Sequence, residues 1–139
     1  MAIRLKDLMG ERSVSLGSGV TVMVKPIGFA GMKAAEAGAL RKARAALDAE
    51  AGAAIAEDAA AREAREDRIA GLAEELLLDE IVQGCVTGWS GVELADGSGP
   101  APLTRETWAT FRTLVPALAD RLRVEMRLPA ALVVAEGNG

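Results

Sequence analysis

The chain contains no histidine, a single cysteine and only 3% aromatic residues. Without histidine there is no Ser-His-Asp or Cys-His machinery, no His-ligated zinc and no ordinary neutral-pH general base. With Cys85 alone, no intramolecular disulfide can form, which points to a reducing compartment. Cys85 lies in the apolar run Ile81-Val82-Gln83-Gly84-Cys85-Val86 and is expected to be a buried, inert thiol. Long apolar runs are also missing. No stretch approaches the roughly 20 residues of a membrane span. The opening Met1-Ala2-Ile3-Arg4-Leu5-Lys6-Asp7 lacks the apolar centre of a signal peptide. A cytoplasmic location is therefore expected, with no membrane partner. Basic excess is absent as well, the formal net charge being -4. This argues against a general nucleic-acid binder, which needs a basic face to displace phosphate counterions, and against a polybasic tether.

Half the residues are hydrophobic, but much of that half is alanine. The 139 residues match a single domain, 1–139, with a thin core built from helix-helix contacts. Within it four regions follow one another. Residues 1–28 form a β-hairpin region. Val14 and Leu16 alternate with serines, and Val20, Val22 and Val24 alternate with Thr21 and Met23. Gly17-Ser18-Gly19 between them supplies a tight turn. Pro26 and Gly28 end the second strand. Residues 29–87 are helical. Phe29, Met32, Ala39, Leu40, Ala43 and Leu47 give a modest apolar stripe. Residues 48–68 are nearly all Ala, Glu, Asp and Arg, with a break expected near Gly52. They fit either an exposed helical arm or a segment disordered in the free protein. Within them Asp58 and Arg62, and Arg62 and Glu66, are spaced to pair along a helix.

The strongest helical pattern runs from Asp67 to Thr87. Ile69, Leu72, Leu76, Leu77, Ile81 and Cys85 recur at spacings of three and four, and Gly88 supplies a stop. Residues 88–103 form a loop rich in Trp, Gly and Pro, with Trp89 packing over its bend. Residues 104–136 carry the C-terminal helices. Thr104 is an N-cap, Glu106 favours the first turn, and Trp108, Phe111 and Leu114 or Val115 face one side. Pro116 opens the next helix, which continues through Leu118 and Leu122. The fold class is mainly α, a small helical domain with an N-terminal β-hairpin.

Chemistry-bearing clusters are weak throughout. Glu74, Glu75, Asp79 and Glu80 share a helix, but no third ligand type accompanies them, so a solvated face is expected. Glu93, Asp96 and Gly97 lack the full oxygen spacing of a calcium loop. Gly-Ser-Gly occurs twice, at 17–19 and 97–99, and neither copy leads into Lys-Ser or Lys-Thr. Arg121, Arg123 and Arg127 mix with Asp120 and Glu125 on what is expected to be an exposed face. No catalytic residue, metal site or cofactor follows, and an interaction module does.

Four stretches taken in order resemble one family. They are Gly19-Val20-Thr21-Val22-Met23-Val24-Lys25-Pro26, the Ala- and Arg-rich segment Ala34 to Ala46, the segment Val86-Thr87-Gly88-Trp89-Ser90-Gly91-Val92 with Asp96-Gly97 and Pro102-Leu103-Thr104, and the ending Ala135-Glu136-Gly137-Asn138-Gly139. Together they resemble the tail assembly chaperones of long-tailed phages and prophages. The resemblance implies a non-enzymatic assembly factor. Such a protein binds the tape measure protein, keeps it soluble and helps to recruit tail tube subunits, with no nucleic-acid partner. Self-association stays open. So do two other functions, a virion component such as a minor tail or head-tail joining protein, and a bacterial helical adaptor or regulator. Leu76, Leu77, Ile81, Trp89, Trp108, Phe111 and Leu118 are expected to build the core, with the partner bound beside them.

Overall fold

A computed structural model describes residues 10–51 and 58–127. Its elements are β1 (Arg12–Gly17), β2 (Val20–Val24), α1 (Phe29–Ala51), α2 (Ala59–Cys85), β3 (Val86–Ser90), α3 (Arg105–Leu114) and α4 (Pro116–Arg127). The fold is mainly helical with a small antiparallel sheet of order β1-β2-β3. The chain divides into two compact units. Gly28–Glu80 forms one, and the segments Met1–Ile27 and Ile81–Gly139 form the other.

The β1-β2 hairpin follows the alternation in the sequence. Val14, Leu16, Val20, Val22 and Val24 are all buried. Ser18 and Gly19 make the two-residue turn, with φ of 53° and 79°. Positive φ at both central residues is what a type I′ turn needs, and its twist matches that of the strands. The register slips between Ser15 and Gly17, a bulge that keeps both Val14 and Leu16 buried.

The third strand corrects the sequence expectation. The helix does not run to Thr87 and stop at Gly88. It ends at Cys85, and Val86–Ser90 pairs antiparallel with β2, placing Gly88 opposite Met23 and Trp89 opposite Val22. The cause is a long-range hydrogen bond. The backbone N–H of Lys25 donates to the Cys85 carbonyl at 2.8 Å, satisfying a helix-terminal acceptor and handing the chain to the sheet. Val86, Thr87 and Trp89 are residues that suit a pleated surface. Burial pushes the Cys85 thiol above its ordinary pKa, consistent with a packed, unreactive side chain.

In the other unit, Ala43, Leu47 and Ile69 form a small buried cluster flanked by Leu72, Ala73 and Leu76. Phe29, expected on the buried stripe, is 81% exposed, with the Lys33 ammonium over its ring. Leu40 is exposed too. Small residues fill the seam, so ion pairs frame it. Lys42 pairs with Glu80 at 2.7 Å and Asp48 with Arg65, which sets α1 and α2 antiparallel. Arg44 grips Glu66 with two bonds of 2.9 and 3.2 Å, and Arg68 reaches Glu50. The bonds from Arg44 hold the Glu66 carboxyl below its ordinary range. Solvent screens exposed pairs of this kind, so each adds little stability. Asp58 caps α2 by accepting from the Ala61 N–H at 2.7 Å. The charged stretch therefore joins a helix pair on both of its described sides. The break expected near Gly52 lies outside the described residues.

Two glycines should respond oppositely to alanine. Gly91 has φ 85°, and a Cβ there would collide with the Gly19 carbonyl oxygen. Gly91→Ala should cost more than about 1–3 kcal/mol. Gly84 lies exposed in α2 with open space around it, so Gly84→Ala should stabilise by about 0.5–1 kcal/mol. Chemical denaturation of the two variants checks the contrast.

Candidate functional site

In the unit that carries the sheet, three aromatic rings meet. Trp89 lies 5.5 Å from Phe111 edge-on, and 6.5 Å from Trp108. Trp108 and Phe111 are 5.6 Å apart. Such pairs contribute about 0.5–1.5 kcal/mol beyond the area they bury. Trp89 also donates its indole N–H to the Ala101 carbonyl at 2.8 Å. One strand residue thus fixes both α3 and the far end of the loop.

The loop itself is a small ladder. Ala101 N–H donates to Val92 O at 2.8 Å, Leu94 N–H donates to Gly99 O at 2.9 Å, and Glu93 bridges Pro100. At its tip the Asp96 carboxylate accepts from the Ser98 N–H at 2.9 Å. These contacts to Ser98 hold the Asp96 carboxyl below its ordinary range. Thr104 then caps α3 as expected. Its side chain accepts from the Thr107 N–H at 3.1 Å, while Thr107 Oγ1 accepts from the Thr104 N–H at 2.8 Å. The Thr107 hydroxyl also donates to the Pro102 carbonyl at 2.6 Å. The segment read from sequence as a loop over a bend therefore begins as the end of β3, through Ser90, and continues as an ordered ladder from Val92 to Ala101.

Between this ladder and α3 lies an open apolar groove of about 580 Å³. Phe111, Leu114, Val115 and Leu118 line it from the helices, and Val92, Leu94 and Ala101 from the loop. Leu114 is 72% exposed, and Leu94 and Val115 are exposed as well. The charged residues lining it are Glu93 and Glu106. Both are exposed. Leu118 packs close to Gly17, tying the groove's end to the hairpin turn.

Of the residues expected to form one core, Leu77, Ile81, Trp108 and Phe111 are buried. Leu76, Trp89 and Leu118 are only half-buried. They do not make a single site. Leu76 and Leu77 belong to the other compact unit, whereas the three aromatics cluster and Phe111 and Leu118 line the groove. Of the groove's outer residues, Val92 and Leu94 were not among those expected, and Leu114 and Val115 were placed only as alternatives on the face of Trp108 and Phe111. The available signal was apolar residues at 114 and 115 beside Phe111, one turn beyond what the aromatic cluster needs.

Glu125 departs from the exposed mixed face expected for α4, on which Asp120, Arg121 and Arg127 are exposed. It is buried, and Arg12 of β1 reaches it, with Nη2 donating to the Glu125 carbonyl at 3.2 Å and Nη1 4.0 Å from the carboxylate. Arg121 lies 4.0 Å away on the other side. The helical spacing from Leu118 and Leu122 puts position 125 on the inward face, so a carboxylate there is retained with cationic partners. Arg123 pairs with Asp120 at 2.7 Å.

Among the described residues, no group of three or more His, Cys, Asp or Glu side chains could hold a metal ion. No described helix is long and apolar enough to cross a membrane. Comparison with protein-family models, with curated proteins and with solved structures found no match.

Trp89 can be dissected by two substitutions. Trp89→Phe keeps a ring but loses the bond to Ala101, and should cost about 1 kcal/mol. Trp89→Ala also empties the aromatic cluster and should cost about 3 kcal/mol or more. Equal unfolding midpoints for both variants and the parent would remove Trp89 from this role. A carboxyl titration by NMR tests the loop tip. Asp96 should titrate below ordinary aspartates. Its folded value is depressed, so its contribution is complete above the ordinary carboxylate range and is lost as pH falls through the folded value.

Proposed function

We propose that the protein is a non-enzymatic tail assembly chaperone of long-tailed phages or prophages. It binds the tape measure protein, keeps it soluble in the host cytoplasm and helps to recruit tail tube subunits. The observation that carries this reading is the open apolar groove beside α3, with Leu114 facing solvent. Exposed apolar surface rimmed by polar residues marks a protein-binding face. A long helical partner with apolar stripes needs such faces until other subunits cover it. One of the stretches that carry the resemblance, residues 86–104, supports the same reading, because it supplies Gly91, Val92 and Ala101 to the lining and holds the loop in place. Trp89 holds Ala101, Gly91 permits the close turn past Gly19, Asp96 and Gly97 form the tip, and Thr104 starts α3.

Co-expression with the long helical protein encoded nearby tests it. The long protein should become soluble and co-purify with this chain, and the chain should be absent from purified particles. A long protein that stays insoluble while this chain runs alone on sizing would remove the chaperone reading. Finding the chain in finished particles would favour a virion component instead.

A further inference from the structure

We infer that the groove beside α3 takes a short amphipathic helix whose apolar stripe is flanked by lysine or arginine. The inference rests on the chaperone reading only for the identity of the long protein that carries this helix. The shape of the lining argues for an extended occupant. Glu106, Thr107, Thr110, Phe111 and Leu114 all line the groove from α3. Their spacing places them along one face of that helix, over about 12 Å at 1.5 Å per residue. Val115 and Leu118 carry the apolar lining on into α4. A second helix laid along such a face presents residues at i, i+3, i+4 and i+7 to it. Phe111 apart, the apolar side chains on the groove are small or branched, and Leu94 on the loop wall and Leu114 on α3 are exposed among them.

Charge decides which amphipathic helix fits. The charged side chains on the lining are Glu93 from the loop and Glu106 from α3, one on each wall. No lysine or arginine lines the groove. A stripe flanked by glutamates would meet like charge on both sides, whereas a stripe flanked by lysines meets complementary charge. The chain's net charge of -4 adds a long-range bias in the same direction.

The test uses the full chain and a labelled synthetic helix of about four turns. Its leucines are spaced at i, i+4 and i+7, and its flanks are lysine in one version and glutamate in the other. Fluorescence anisotropy should give clear binding of the lysine version, weakening with added salt, and binding on the order of tenfold weaker for the glutamate version. Leu114→Glu should weaken the lysine version by a similar factor. Leu114 is 72% exposed, so this variant should keep its circular dichroism and melting temperature. Glu93→Gln combined with Glu106→Gln, both at exposed positions, should abolish the preference between the two peptides. Equal binding of both peptides by the parent, or binding indifferent to Leu114→Glu, would overturn the proposal. So would a parent that dimerises without peptide and becomes monomeric as Leu114→Glu, since a second copy would then fill the groove. The groove and the chaperone reading fail separately. If Leu114→Glu still solubilises the long protein, the groove assignment falls and the chaperone stands. If the parent binds the lysine peptide but never solubilises the long protein, the chaperone reading falls and the groove stands.

Discussion

The sheet-bearing unit depends on what one side chain, Trp89, holds together. Its position opposite Val22 puts it in the same cross-strand row as Val14 and Val22. Its ring meets Phe111 and Trp108 on α3, and its N–H closes the loop at Ala101. An indole combines a large apolar body with one donor that must be satisfied when covered. Here the body fixes a helix and the donor fixes a loop. Without both attachments, the ladder from Val92 to Ala101 would hang from its own few bonds.

The two compact units solve the same shortage in different ways. The chain has only four aromatic residues, and three of them are spent on this one cluster. The fourth, Phe29, is exposed. The α1-α2 unit therefore closes on alanine, leucine and isoleucine, with Ala39 and Ala43 almost fully buried. Small side chains let helices approach but bury little area each. Ion pairs along both edges add specificity of register more than energy, because each is exposed.

Much of this was legible locally. The hairpin followed from strict alternation and a Gly-Ser-Gly turn, and α3 from Thr104 with Glu106 behind it. What was not legible depended on distant partners. Residues 86–90 look like the end of a helix until Lys25 claims the Cys85 carbonyl, a contact no window around residue 86 contains. The spacing of Arg62 and Glu66 speaks only of their own helix, whereas the two-bond fork from Arg44 to Glu66 comes from the neighbouring one. Glu125 looked solvated because it is charged, although its helical phase with Leu122 pointed inward. The groove was half visible. Phe111 and Leu118 stood out as large apolar residues, but the opposing wall required knowing that residues 92–101 fold back on themselves.

That wall also explains how a chain can leave leucines in solvent and stay usable. An apolar groove tempts identical copies to associate, and any two copies of this chain carry the same negative charge. The glutamates on the two walls repel a like-charged rim and attract a basic one. At physiological ionic strength this discrimination acts over about 8 Å, which is the scale of one docked helix. Leu114 supplies attraction without preference, because burying it gains the same from any apolar stripe. Glu93 and Glu106 supply preference with little attraction. Selectivity in such a groove therefore rests on the acidic rim, and it can weaken with salt while the apolar contact persists.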